Sequence, residues 1–368
     1  MKNIKIILAD QERDYVVKFK EYLESQEGKN RFELISATTK EAFETLAKSE
    51  NFDLLLATPY FFDSSLVHEI PIVIGLDDHT KKNNWDFPLI EKYQSLTKLI
   101  GEVLALYFEK IEQTEYFIAN NGDTKIISTF SSTAGAGKTI FALNLANELT
   151  KLNLNVLYLN LETIHSTALF LKDDTDMRQS SELIYFTQKK STLLLSKIEK
   201  YKKRDSYLNF DYFDFINNPA EMLEMKSEEI HYLLGILKSS DVYDYVIVDL
   251  DSQLHERNLE VLQASQKIVW LVKNDVTSIF KSEHMLENSR TLVGLEAKGN
   301  SALHFVMNYC HQEQHLETSL PIMHHLPFVR SWENLRQPTA IVEEDSYCKA
   351  VANLIVTNFV KVEENSDG

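Results

Sequence analysis

At 368 residues, the chain has the length of two domains or three, at about 100–200 residues each. Apolar residues make up 44% and charged residues 25%, an ordinary globular composition that excludes a disordered, collagenous or low-complexity chain. Lys and Arg number 38 and Asp and Glu 55, so the formal net charge is −17; this argues against general nucleic-acid binding, which rests on cationic side chains neutralising phosphates.

The N-terminal apolar run stops at Asp10 and reads as a strand, not as a signal peptide. Lys5–Ala9 suits a buried parallel strand. Val16, Val17, Phe19 and Leu23 follow at helical spacing, then Phe32–Ser36 as a second strand. Thr38 or Thr39 is placed to cap a helix with Ala42, Phe43, Leu46 and Ala47 on one face. Asp53–Ala57 and Ile70–Leu76 read as the third and fourth strands, Phe87–Glu91 as a short fifth, and Leu96–Lys110 as an amphipathic helix. Strands alternating with helices predict a small doubly wound parallel sheet over residues 1–115. Polar residues around 116–124 mark a linker. A second strand–helix series then fills 125–368, with strands at Lys125–Phe130, Val156–Leu161, Phe213–Ile216, Tyr245–Asp249, Lys267–Val272 and Leu303–Asn308. Both halves are therefore α/β, and no internal repeat of fixed period is visible. No stretch approaches the ~20 apolar residues of a membrane span, so a soluble chain is expected. Cys310 and Cys348 are too few for a disulfide framework or a four-cysteine zinc site, and buried thiols in a reducing cytoplasm fit them.

The sharpest local signal is Ser131-Ser-Thr-Ala-Gly-Ala-Gly-Lys-Thr139, between the strand Lys125–Phe130 and a helix beginning at Ile140. Strand, glycine-bearing loop and helix are the context of a phosphate-binding loop. Gly135 and Gly137 lack a Cβ and let the backbone approach phosphate oxygens, while successive N–H groups and the helix N-terminus supply an anion cradle. Lys138 would reach the β- and γ-phosphates and Thr139 would hold Mg²⁺. The usual pattern wants Gly at position 132, where this chain has Ser132, and an ordinary strand-to-helix turn with an exposed Lys is the competing explanation. Val246–Asp249 is an apolar strand ending in a carboxylate, as in a Walker B strand; it puts Asp249 at a carboxyl strand end, ready to hold the Mg²⁺ shell. Val156–Glu162 ends in Asn160 and Glu162, which alternate onto one side, so that Glu162 could orient an attacking water. Solvated residues at a strand end would look the same.

The order of a small α/β domain, a linker, the 131–139 loop, Asn160-x-Glu162 and Asp249-x-Asp251 resembles the MinD/ParA class of P-loop ATPases, and more narrowly the TadZ/CpaE group of pilus-assembly ATPases. The class pattern K-G-G-x-G-K-T falls on Thr133, Ala134, Gly135, Ala136, Gly137, Lys138 and Thr139. Its first Lys is Thr133 here, and the residue after the last Thr is Ile140. The resemblance implies ATP and Mg²⁺ as ligands, with 133–140 on the phosphates, Lys138 and Glu162 in catalysis, and Thr139 and Asp249 on the metal. It also implies that Asn308 reads adenine and that Leu326-Pro327 forms a loop near the base. The first domain resembles a flavodoxin-like response-regulator receiver. Thr58 stands where the phosphoacceptor Asp would be, Asp10 is followed by Gln11, and Lys92 falls near the receiver lysine. Without a carboxylate nucleophile no aspartyl phosphate forms, so a pseudo-receiver for docking or dimerisation is expected.

The resulting expectation is a slow, cytoplasmic ATPase that forms a nucleotide-dependent homodimer. It would serve the localisation or assembly of a tight-adherence (Flp-type) pilus machine, at the inner face of the membrane or at the cell pole. An ATP-locked scaffold, a ParA-like partition ATPase and a polysaccharide tyrosine kinase are the alternatives. Lys189–Arg204 is basic with apolar residues near helical spacing, and suits either an anionic membrane surface or, better, packing on the ATPase sheet. Neither His324-His325 nor the pair His311 and His315 has the companions of a metal site. Val351–Val360 is apolar without a basic face, so no membrane-targeting helix is evident.

Overall fold

The computed structural model describes residues 4–24, 32–79, 86–111, 123–171, 180–205, 207–240, 242–289, 300–311, 316–334 and 341–359. They group into two compact units, Met1–Phe117 with Thr192–Tyr201, and Ile118–Ser191 with Lys202–Gly368. Most of the expected linker, His315 and the tail from Val360 lie outside the described residues. Among the described residues no helix is long and apolar enough to cross a membrane.

The first unit holds β1 (Ile4–Ala9), β2 (Phe32–Ala37), β3 (Leu54–Ala57), β4 (Ile72–Asp77) and β5 (Leu89–Glu91). They run parallel in the order β2-β1-β3-β4-β5. The central strands are buried almost throughout, which is why they read as continuous apolar runs; β2 and β5, at the edges, are partly exposed. Helix Arg13–Glu24 buries Val16, Phe19 and Leu23. Helix Lys40–Ser49 is capped by Thr39, whose hydroxyl accepts from Ala42 N at 3.2 Å.

One segment departs from the expected division. Helix Leu194–Tyr201, from the basic stretch assigned to the ATPase sheet, packs in the first unit against helix Leu96–Ile111. Its apolar face of Leu194, Leu195, Ile198 and Tyr201 is buried there. The backbones approach closely at Gly101, where a Cβ would lie 3.0 Å from the Glu199 carbonyl oxygen. A larger residue at 101 would push the helices apart.

The second unit is an eight-stranded sheet of β6 (Lys125–Phe130), β7 (Val156–Asn160), β8 (Lys203–Arg204), β9 (Asp211–Tyr212), β10 (Tyr245–Asp249), β11 (Lys267–Lys273), β12 (Leu303–Cys310) and β13 (Ile322–Pro327). The order is β13-β12-β11-β6-β10-β7-β9-β8, all parallel except the β8–β9 pair. Two expectations need correction. Phe213–Ile216 is not a strand; the pairing is made by Asp211–Tyr212 just before it, which adds to β7 at a short edge. Leu326-Pro327 ends strand β13, with Leu326 fully buried in the core, so it is not a loop.

Helix Lys138–Thr150 is buried on nearly all sides, because the sheet covers one side and helix Asp345–Asn358 the other. That second helix contributes Tyr347, Val351, Leu354 and Ile355 to the core. An Asn at a core position needs partners. Asn144 finds them by donating to Ile140 O at 2.9 Å and Ile341 O at 3.0 Å.

Candidate functional site

The strand order puts the loop strand β6 between β10 and β11, with the carboxyl ends of β6, β10 and β7 side by side. Register places Thr129, Asp249 and Asn160 at one level across these strands. Crevices at carboxyl strand ends are where doubly wound sheets bind ligands.

The loop 131–137 leaves β6 here. Gly135 and Gly137 both have positive φ, +67° and +85°. Gly137 is the left-handed cap of helix Lys138–Thr150. Ala134 and Gly135 are exposed at the loop tip, while Ala136 and Lys138 are buried. A left-handed turn directly before a helix N-terminus concentrates unpaired N–H groups and favours an anion.

Around the loop the expected chemistry converges. Lys138 Nζ lies 3.9 Å from Glu162 Oε1 and donates to Ser252 Oγ at 3.3 Å. Thr139 Oγ1 donates to Glu162 Oε2 at 3.5 Å. Asp249 is fully buried and receives Thr129 Oγ1 at 3.0 Å and Tyr158 OH at 3.1 Å. Burial pushes the Asp249 carboxyl up, against the bonds from Thr139 and Thr129 and the charge of Lys138. Burial, with the charge of Asp249 beside it, pushes Glu162 up to about 8. Two carboxyls held above their ordinary range, Asp249 by burial and Glu162 by burial and the charge of Asp249, suit a cation placed between Thr139 and Asp249. The donor set of a hydroxyl and carboxylates is that of a hard divalent ion.

The sequence pattern missed the link between these carboxyls. Asn160 Nδ2 donates to Tyr158 OH at 3.0 Å, and Glu162 N donates to Asn160 Oδ1 at 2.9 Å. Tyr158, Asn160 and Glu162 thus run from Asp249 to the loop along one side of β7. The alternation that paired Asn160 with Glu162 would have found Tyr158 two residues earlier. Asp251 was equally within reach of the pattern. It accepts from Thr163 Oγ1 at 2.8 Å and Asn258 Nδ2 at 2.6 Å, and meets His255 Nε2 at 3.1 Å. Burial opposes its charge, but His255 and Thr163 outweigh burial and hold its carboxyl well below the usual carboxylate range.

Thr133 does not project a charge; its hydroxyl meets Ser278 Oγ at 3.0 Å, and Ser132 Oγ meets Ser282 Oγ at 2.7 Å. Both serines lie on helix Val276–Ser289, so the front of the loop is tied to that helix. Ile140 is half-buried against the core. Asn308 is buried, with Nδ2 donating to Ala136 O at 2.9 Å and Oδ1 accepting from Tyr309 N at 2.8 Å. Its amide engages the 131–137 loop itself.

Residues 124–295 match the family model of an AAA domain. Among solved structures, a ParA family ATPase from Chlorobium tepidum TLS is similar with a TM-score of 0.51 at 15% identity, over 64% of this chain and 98% of that one. The cell division ATPase MinD of Pyrococcus furiosus is similar with a TM-score of 0.50 at 16% identity, over 62% of this chain and 96% of its own. A MinC:MinD cell division protein complex from Aquifex aeolicus includes a chain with a TM-score of 0.50 at 15% identity, over 65% and 98%. No curated protein matches the chain. At these identities the likeness is one of fold. The match to the AAA-domain model spans residues 124–295, and the unit that holds most of them has the fold of the ParA and MinD ATPases.

Proposed function

We propose that this chain binds Mg–ATP in the second unit and uses the nucleotide to govern its own dimerisation and its binding of partner proteins. The observation that carries this is the convergence of Lys138, Thr139, Glu162 and Asp249 on the left-handed turn at Gly137. The 133–140 backbone and Lys138 hold the phosphates. Thr139 and Asp249 hold the metal, which neutralises charge on the β- and γ-phosphates when bound. Glu162, beside Thr139 and Lys138, accepts a proton from an oriented water. Calorimetric titration with ATP, with and without Mg²⁺, tests the binding. Wild type should bind, and Lys138→Ala should weaken binding at least tenfold; equal indifference of the two proteins to adenine nucleotides would defeat the proposal.

Turnover in this proposal is slow. The class cation at the first loop position is replaced by Thr133, whose hydroxyl is committed to Ser278. In related phosphoryl-transfer enzymes such a charge is worth about 10³–10⁵ in rate. The same observation supports a second possibility, a scaffold that holds ATP without hydrolysing it. A single-turnover assay separates the two: product formed within the binding lifetime favours the enzyme, and intact ATP after long incubation favours the scaffold.

The first unit, expected to span 1–115, serves here as a flavodoxin-like pseudo-receiver. Its strand order β2-β1-β3-β4-β5 supports this. Lys92 Nζ lies 2.8 Å from Asp10 Oδ2, both side chains 1% exposed, and 2.9 Å from Glu12 Oε1. Thr58, directly after β3, is buried; in this reading it takes the phosphoacceptor's place. The role proposed for the whole chain is localisation or assembly of a tight-adherence pilus machine, through this unit as the docking module and with peripheral contact at the membrane or pole. Loss of surface pili in a deletion strain, restored by wild type and not by Lys138→Ala, tests that role. The −17 charge disfavours a partition ATPase on DNA.

A further inference from the structure

The end of β12 grips the phosphate loop by its carbonyls. Asn308 Nδ2 donates to Ala136 O at 2.9 Å, and Tyr309 OH donates to Gly135 O at 3.2 Å. Tyr309 itself has φ +61°, a left-handed conformation that a bulky side chain adopts only when its surroundings impose it. Asn308 Oδ1, accepting from Tyr309 N at 2.8 Å, is one such constraint. The fit at Gly137 is equally tight: a Cβ there would lie 2.4 Å from Asn308 Nδ2 and 3.1 Å from Tyr309 OH.

These contacts have a consequence for the N–H groups. A trans peptide points its C=O and N–H in opposite directions, and no peptide bond among the described residues is cis. The carbonyl of Gly135 shares a plane with the N–H of Ala136, and the carbonyl of Ala136 with the N–H of Gly137. With both oxygens held toward β12, both N–H groups face away from it. They are turned outward before any ligand arrives.

We infer that Asn308 and Tyr309 are positioning residues of the phosphate cradle, which pre-turn the Gly135–Ala136 and Ala136–Gly137 peptides so that their N–H groups meet a polyphosphate without reorganisation. The inference rests on the proposal that this loop binds a triphosphate. It assigns Asn308 a task on the phosphate side, where the family resemblance assigns it to the base. Preorganised donors bind more tightly because ordering is already complete. Residues 308–309 lie at the end of a strand that pairs with β11, a rigid support for the grip.

The test measures binding of ATP and of inorganic tripolyphosphate, which has no base, to wild type, Tyr309→Phe and Asn308→Ala. Each variant loses one hydrogen bond to the loop, so each should weaken both ligands by the same factor, about 3- to 10-fold. Loss of ATP affinity with tripolyphosphate unchanged would assign Asn308 to the base and overturn the inference. Lowered thermal stability with both affinities unchanged would reduce the pair to a structural role and overturn it too. Failure of wild type to bind either ligand would instead strike the proposed function itself, and is recognisable before any variant is made. Tyr309→Phe keeps the ring and its packing, so it folds even if Asn308→Ala does not.

Discussion

Comparing alanine at Gly135 and Gly137 isolates the grip of β12 on the loop. Both glycines are left-handed, at φ +67° and +85°, so each alanine bears about 1–2 kcal/mol of backbone cost. At Gly135 nothing lies within 4 Å of the added Cβ, and the cost should end there. At Gly137 the Cβ would sit 2.4 Å from Asn308 Nδ2, so the amide must move and break its 2.9 Å bond to Ala136 O. Stranding these buried groups adds about 1–3 kcal/mol. Gly137→Ala should therefore cost about 2–5 kcal/mol against about 1–2 for Gly135→Ala. Urea unfolding reads both, as midpoint shifts at constant slope. Adding Asn308→Ala removes the obstacle, so the extra cost of Gly137→Ala should largely vanish in the double variant, as a coupling of about 1–3 kcal/mol. Equal costs at the two glycines, or additive costs in the double variant, would refute the clasp described for the loop.

Glu162 carries a pH prediction. Its carboxyl is raised to about 8 in the fold, so the folded state keeps a proton that the unfolded chain has lost. The stability it contributes is present below its ordinary range near pH 4.5 and is lost as pH rises toward 8; Glu162→Gln should flatten the ligand-free profile over that window, as followed by thermal melts from pH 5 to 8.5. In the first unit, Lys92→Met leaves the Asp10 carboxyl buried without its ammonium and should cost about 3–5 kcal/mol. Pairing it with Asp10→Asn should restore much of that stability in the same denaturation assay, and no restoration would mean the ion pair is not what the site depends on.

What was legible along the chain was local. The apolar runs of β1, β3 and β4 announced buried parallel strands, because a strand covered on both faces has no polar side to show. Thr38 or Thr39 announced the next helix, and Thr39 is its cap. The turn at Gly135–Lys138 stood out because strand, left-handed glycines and helix follow one another without interruption. Asp249 and Glu162 were singled out by the same logic, the first as the last residue of a recognisable strand and the second just beyond another. Other features depended on which strands lie side by side, and short-range pattern carries no such information. The Tyr158 hydroxyl reaches Asp249 only because β7 pairs with β10 in register. The two-residue strand Asp211–Tyr212 is too short to declare itself, and β13 exists through its pairing with β12. Helix Leu194–Tyr201 advertised an amphipathic face but not what would cover it, and the cover is helix Leu96–Ile111, far away in the chain. Asn308 is a strand-end residue in the sequence. Only its placement beneath Gly137, 171 positions earlier, sets its amide on the loop that follows β6, because the order of β6, β11 and β12 in the sheet brings the end of β12 near that loop.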